Sequence, residues 1–96
     1  MLKKLRYIPK IIGAKYLKDY RIEVEFDNGE KKIVDCGRYL KGEIFEGLKD
    51  KEKFKDFFVD GYTICWRNGA DIAPETLYLD GTKVSNMNKE EGVNYA

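Results

Sequence analysis

The sequence predicts an α+β fold: a three-stranded antiparallel meander, short helices, a second β-hairpin group and a short terminal helix. Three observations carry that prediction. Residues 12–35 alternate apolar and polar with period two, Asn28-Gly29, Asp60-Gly61 and Asn68-Gly69 punctuate the chain as turns, and between them the apolar spacing shifts to three and four. The seven Tyr, five Phe and one Trp lean the same way, toward strands rather than a helical bundle. At 96 residues the chain is one domain by size, expected to bury about 60–65% of the surface its unfolded form exposes.

In chain order, Ile12, Ala14 and Tyr16 form one apolar face of a first strand, and Tyr20, Ile22, Val24 and Phe26 that of a second, with residues 17–19 connecting them. Asp27-Asn28-Gly29 turns into a third strand, residues 31–35. A two-residue turn sets Val24 opposite Ile33, whereas a three-residue turn with a bulge sets Ile22 opposite Val34, and both registers remain open. Tyr39, Leu40, Ile44, Phe45 and Leu48 recur at helical spacing, kept short by Gly42 and Gly47. Asp50 stands where an N-cap belongs, ahead of a second short turn anchored by Phe54. A two-residue Asp60-Gly61 loop sets Phe57 opposite Ile64 and Val59 opposite Tyr62. Asn68-Gly69 then returns the chain with Asp71 beside Trp66. Pro74 suits the first position of a helix and Glu75 its positive end, the helix stopping before Gly81. Residues 1–81 thus read as one domain with a basic N-terminal arm, and residues 82–96 as a polar, frayed tail.

Net charge is +1, but residues 1–18 hold six bases and no acid, leaving twelve bases against seventeen acids in the remainder. The run Lys49, Lys51, Lys53, Lys55 is interrupted by Asp50, Glu52 and Asp56, the pattern of a solvated face, so nucleic acid is not the expected partner. No secretory or membrane segment is expected, because Pro9, Lys10, Gly13 and Lys15 break the apolar run near the start; a cytoplasmic setting follows. Cys36 and Cys65 lack C-x-x-C spacing and the chain has no histidine, which points to reduced, buried thiols rather than a zinc site or a base-activated nucleophile. No cofactor motif appears: there is no G-x-G-x-x-G and no glycine loop ending in a Walker lysine.

The densest stretch is TICWRNGADIAPETLY, residues 63–78. Trp66 is expected in the core, Asn68 and Gly69 in the turn, and Pro74 with Glu75 at a helix start. Asp71 is expected to accept from backbone N–H groups where that helix begins. The alternative places Asp71 with Glu75, Arg67 and Tyr78 around a pocket, as a small-ligand or catalytic site.

Residues 26–29 (F-D-N-G), Val34-Asp35, the segment L-x-G-x-x-F-x-x-L-x-D at residues 40–50 and W-x-N-G-A-D-I-x-P-E-x-L-Y at residues 66–78 resemble the bacterial family of domain of unknown function 2442. The likeness spans roughly residues 11–79, and the chain has Arg67 where that family usually has proline. The resemblance implies a small α+β fold in a prokaryotic cytoplasm and, from gene neighbourhoods and fusions to DNA-binding helices, a regulatory or antitoxin-like setting. It implies no catalytic residue.

The expected function is accordingly a protein-interaction or regulatory module, with another small protein as partner or a homo-oligomer. Candidate contacts are an exposed sheet edge or the arm residues Lys3, Lys4, Arg6, Tyr7 and Lys10, with Tyr95 as a second aromatic anchor. Nucleic-acid binding through the same arm is the remaining alternative.

Overall fold

The computed structural model describes residues 8–84. Lys3, Lys4, Arg6, Tyr7 and Tyr95 lie outside the described residues, as does the tail from residue 85 onward. The α+β expectation holds: two antiparallel sheets enclose one core together with short helices.

The meander is β1 (Ile11–Lys18), β2 (Arg21–Phe26) and β3 (Lys31–Asp35). Ile22 pairs with Val34, so the three-residue turn with a bulge is the one adopted. Asn28 decides this, because its Oδ1 accepts from the Glu30 N–H at 3.0 Å, while Gly29 takes the positive φ of 92° that the last turn residue needs. The apolar face of β2 is buried as expected, but β1 departs from its simple alternation. A bulge between Ile11 and Gly13 buries Ile11 and turns Ile12 outward.

After a 3-10 turn at Cys36–Tyr39 come α1 (Glu43–Glu46), a 3-10 turn at Gly47–Lys49 and α2 (Lys51–Phe54). Asp50 caps α2 by accepting from the Glu52 N–H at 3.0 Å, and Phe54 is fully buried. The second sheet is β4 (Phe57–Val59), β5 (Ile64–Trp66) and β6 (Asp71–Ile72). Its registers correct two expectations. Phe57 faces Trp66 and Val59 faces Ile64, because the Asp60 carboxylate takes the Tyr62 and Thr63 N–H groups, both at 2.9 Å, and moves the turn one residue along. Asp71 faces Cys65 rather than Trp66, because the Asn68-Gly69 turn also uses three residues.

Helix α3 (Pro74–Asp80) starts on Pro74 as expected and packs on β3. β7 (Thr82–Lys83) then joins β3 as a fourth strand, so the first two residues of the supposed tail are part of the sheet. Strands β1 and β4 are in contact, and in the turn beyond β4 the Tyr62 carbonyl accepts from the Ile11 N–H at 3.0 Å. This seam links the two sheets around Phe26, Phe54, Trp66 and Leu77. Among the described residues no helix is long and apolar enough to cross a membrane.

Candidate functional site

The residues of the closing motif are largely occupied in holding the molecule together. Trp66 is buried against Phe54, with ring centroids 5.6 Å apart, and has Phe45 and Phe57 near its edges. Its Nε1–H donates to the Phe54 carbonyl at 2.8 Å, which satisfies the indole without a ligand. Asn68 works at both ends of its amide: Oδ1 accepts from the Ala70 N–H at 3.0 Å and Nδ2 donates to the Ile44 carbonyl at 2.9 Å. Arg67 Nε donates to Asp56 at 3.1 Å between two exposed side chains. Gly69, at φ 95°, closes the turn. Together these contacts latch the second sheet onto the helical segment. The groove of about 400 Å³ between them has Leu48 and Trp66 beneath it, and Asp50 and Asp56 on its rim already serve as a cap and an ion-pair partner.

Tyr78 does equivalent work on the other sheet. Its ring meets the edge of Phe26 at 5.1 Å and its hydroxyl donates to Glu30 at 3.2 Å. The ammonium of Lys32 lies 3.8 Å from the Tyr78 ring centre and donates to the Tyr78 carbonyl at 2.5 Å. Lys32 is a core-facing cation that the sequence reading missed. Burial lowers its pKa from the ordinary lysine value, the Glu30 charge opposes that shift, and Lys83 adds to it. The signal available in the sequence was parity, since Lys32 shares the face of Val34 on β3.

Asp71 does not do what was expected of it. The residue preceding α3 is Ala73, which makes no side-chain cap, and Asp71 lies two residues further upstream, on β6 and exposed. Strand alternation turns it to the outer face, away from the helix it was to cap. There it lines a shallow depression of about 520 Å³ with Phe58, Asp60, Cys65 and Arg67. Neither Glu75 nor Tyr78 lines that depression, so the four residues of the pocket alternative are not gathered in one place.

Cys65 is half-buried rather than buried. Desolvation, then the hydrogen bond and charge of Asp60, push its thiol up to about 11; Cys36, buried near Asp35, is pushed up to about 12. Both are thiols at neutral pH. In the lysine run, Lys49 pairs with Glu46 at 3.2 Å, Lys51 with Asp19 at 3.4 Å and Lys55 with Glu52 at 3.2 Å. Lys10 is exposed, and its backbone N–H donates to Asp27 at 3.3 Å.

Exposed apolar side chains stand beside the β1–β4 seam, and over one of them, Phe58, the Arg67 guanidinium lies 6.0 Å from the ring centre. Ile12 of β1, Phe58 of β4 and Tyr62 of the following turn are exposed, 57%, 42% and 53% respectively. Phe58 faces Cys65, which faces Asp71, so these three share the outer face of the second sheet. The bulge sends Ile12 to the outer side of the first.

No curated protein and no solved structure matches the chain. The model of one family does, over residues 11–82, from the first residue of β1 to the first of β7, and the chain belongs to that family: Protein of unknown function (DUF2442).

Proposed function

We propose that this protein is an interaction module whose contact surface is the outer side of the β1–β4 seam. The observation that supports it is that exposed Ile12, Phe58 and Tyr62 lie on or just beyond the two strands that meet at this junction, while the motif residues Trp66, Asn68 and Tyr78 are spent inside the fold. Isolated exposed apolar residues such as Leu79 and Ile44 are ordinary on a protein surface. A group of them at one place is the usual mark of a docking surface. In the regulatory or antitoxin-like setting that the family resemblance implies, the bound protein is another small protein or a second copy of the chain.

The test is a nuclease-treated pull-down from native lysate with tagged protein, beside an Ile12→Ser, Phe58→Ser double variant checked for folding by circular dichroism. The expected result is one protein, another gene's product or the untagged copy, recovered in near-stoichiometric amount and lost from the variant. Recovery that ignores the substitutions, or no recovery at all, contradicts the reading.

A further inference from the structure

We infer that β7 is a cover: it occupies the edge of β3 that otherwise pairs with β3 of a second copy of this chain. This edge is separate from the seam, at the far side of the first sheet, whose strand order is β1-β2-β3-β7. Without β7, β3 would be an edge strand of five residues, Lys31–Asp35, and such an edge is a template for another strand. The chain blunts it with two residues, Thr82 opposite Ile33 and Lys83 opposite Lys32. An edge that short, carrying a lysine, offers a further strand little to pair with. Gly81 is what lets the chain reach β3 from α3. Its φ of −77° suits any residue, but a Cβ there would lie 2.8 Å from the Lys32 Cβ, 2.9 Å from the Leu77 carbonyl oxygen and 3.1 Å from the Val34 Cγ2.

The occupant follows from the sequence of β3, KKIVD, which is complementary to itself when reversed. Two copies paired antiparallel about Ile33 set Lys31 opposite Asp35 twice, Lys32 opposite Val34 twice and Ile33 opposite Ile33. Shifting that register by one residue turns the core face of one copy, with its buried Val34, outward, and shifting it by two parts Lys31 from Asp35. Lys31 and Asp35 are both exposed and in no ion pair among the described residues, with Glu25 and Arg21 across from them on β2. The Asp35 carboxylate accepts from the Gly37 N–H at 3.0 Å, which holds it at the end of the strand. The grip of β7 is lighter, since Lys83 stands opposite Lys32 and like charges across a ladder repel. Replacing β7 by a second β3 exchanges that opposition for two Lys31–Asp35 pairs. The cover prevails in the intact chain because it is tethered, and so competes at high effective concentration.

Sedimentation velocity over a concentration series tests this on the full chain, with folding checked by circular dichroism. The Thr82→Pro, Lys83→Pro double variant removes both N–H donors of β7 and leaves α3 as it is, since Gly81 before it is already extended at ψ 158°. Gly81→Val lifts β7 by steric contact instead. Either variant is expected to form a concentration-dependent dimer at least about tenfold tighter than any association of the wild type. Adding Lys31→Glu, which sets carboxylate against carboxylate, is expected to weaken that dimer at least about tenfold. Variants that fold but associate no more than the wild type overturn the inference, and so does a dimer indifferent to Lys31→Glu or a wild type that already dimerises in a Lys31-dependent way. If Gly81→Val fails to fold, the proline variant alone decides. Association lost on Phe58→Ser but not on Lys31→Glu belongs to the seam; it overturns the cover and leaves the interaction module standing.

Discussion

The two Asn-Gly turns of this molecule are built alike and used differently. In residues 26–30 the Phe26 N–H donates to Glu30 at 2.8 Å, the Gly29 N–H to Phe26 at 2.9 Å, and the Asn28 side chain takes the Glu30 N–H at 3.0 Å. In residues 66–70 the Trp66 N–H donates to Ala70 at 2.9 Å, the Gly69 N–H to Trp66 at 3.0 Å, and the Asn68 side chain takes the Ala70 N–H at 3.0 Å. The glycines agree to within a few degrees, φ 92° against 95°. Beyond these local bonds the two reach different partners: the first turn is tied to Lys10 through Asp27 and to Tyr78 through Glu30, whereas the second holds Ile44 through Asn68, Phe54 through Trp66 and Asp56 through Arg67. One local code therefore sits at the end of the meander in one place and latches the second sheet to the helical segment in the other. The difference lies in what the unused donors of the same residue types can reach.

Truncation of Trp66 is expected to separate the two regions most strongly. Trp66→Ala removes a buried ring and its hydrogen bond, and urea unfolding is expected to show a loss of about 3–5 kcal/mol or failure to fold. Next comes the asparagine pair. Asn28→Ala removes one hydrogen bond and is expected to cost about 0.5–1.5 kcal/mol; Asn68→Ala removes two and leaves the Ile44 carbonyl without its donor, for about 1–3 kcal/mol. Gly29→Ala and Gly69→Ala are expected to cost about 1–2 kcal/mol each and to agree with one another, since the penalty lies in the backbone conformation that both turns share. A large disparity between them in the same titration would break the equivalence of the turns. Arg67→Ala is the mildest, at most about 1 kcal/mol, because its pair with Asp56 is exposed to solvent.

The cysteines, one in the 3-10 turn after β3 and one on β5, give a pH test. Folding raises Cys36 to about 12 and Cys65 to about 11 from an ordinary value of 9.0. A raised thiol pKa favours the folded state while the thiol is neutral. That contribution is complete below about 9 and is lost as pH rises toward 11–12, because the unfolded chain ionises first. Stability measured between those limits is expected to fall more gently in Cys36→Ala than in the wild type.

The fold was legible wherever the controlling interaction is local. Asp50 as a cap, Pro74 as a helix start and the alternation of β2 each follow from a residue and its immediate neighbours. Registers were less legible, because three of them hang on whether a side chain substitutes for a backbone acceptor. Asn28, Asp60 and Asn68 all do, at N–H groups two or three residues ahead. The fourth strand was hidden because Thr82 and Lys83 carry no apolar face; only the position of α3 beside β3 brings them into the sheet. At the site, the sequence identified the motif but not its occupation. That Asn68 reaches Ile44 and Tyr78 reaches Glu30 are contacts over separations of 24 and 48 residues, for which no spacing rule exists. The seam was hidden for a similar reason, since Ile12 reads as core until the bulge turns it out.

Native-state hydrogen exchange at the Gly29 and Gly69 amides tests the difference between the two turns most directly. Both amides follow an asparagine and donate to the first residue of their turn, so their chemistry without structure is the same. The latch predicts slower exchange at Gly69, whose turn opens only when the buried indole bond to Phe54 and the Asn68 bond to Ile44 also break, than at Gly29, whose turn is held from outside by the exposed Asp27 and the part-buried Glu30. Equal protection of the two amides, or the reverse order, would contradict the assignment of the motif to holding the fold and return it to consideration as a site.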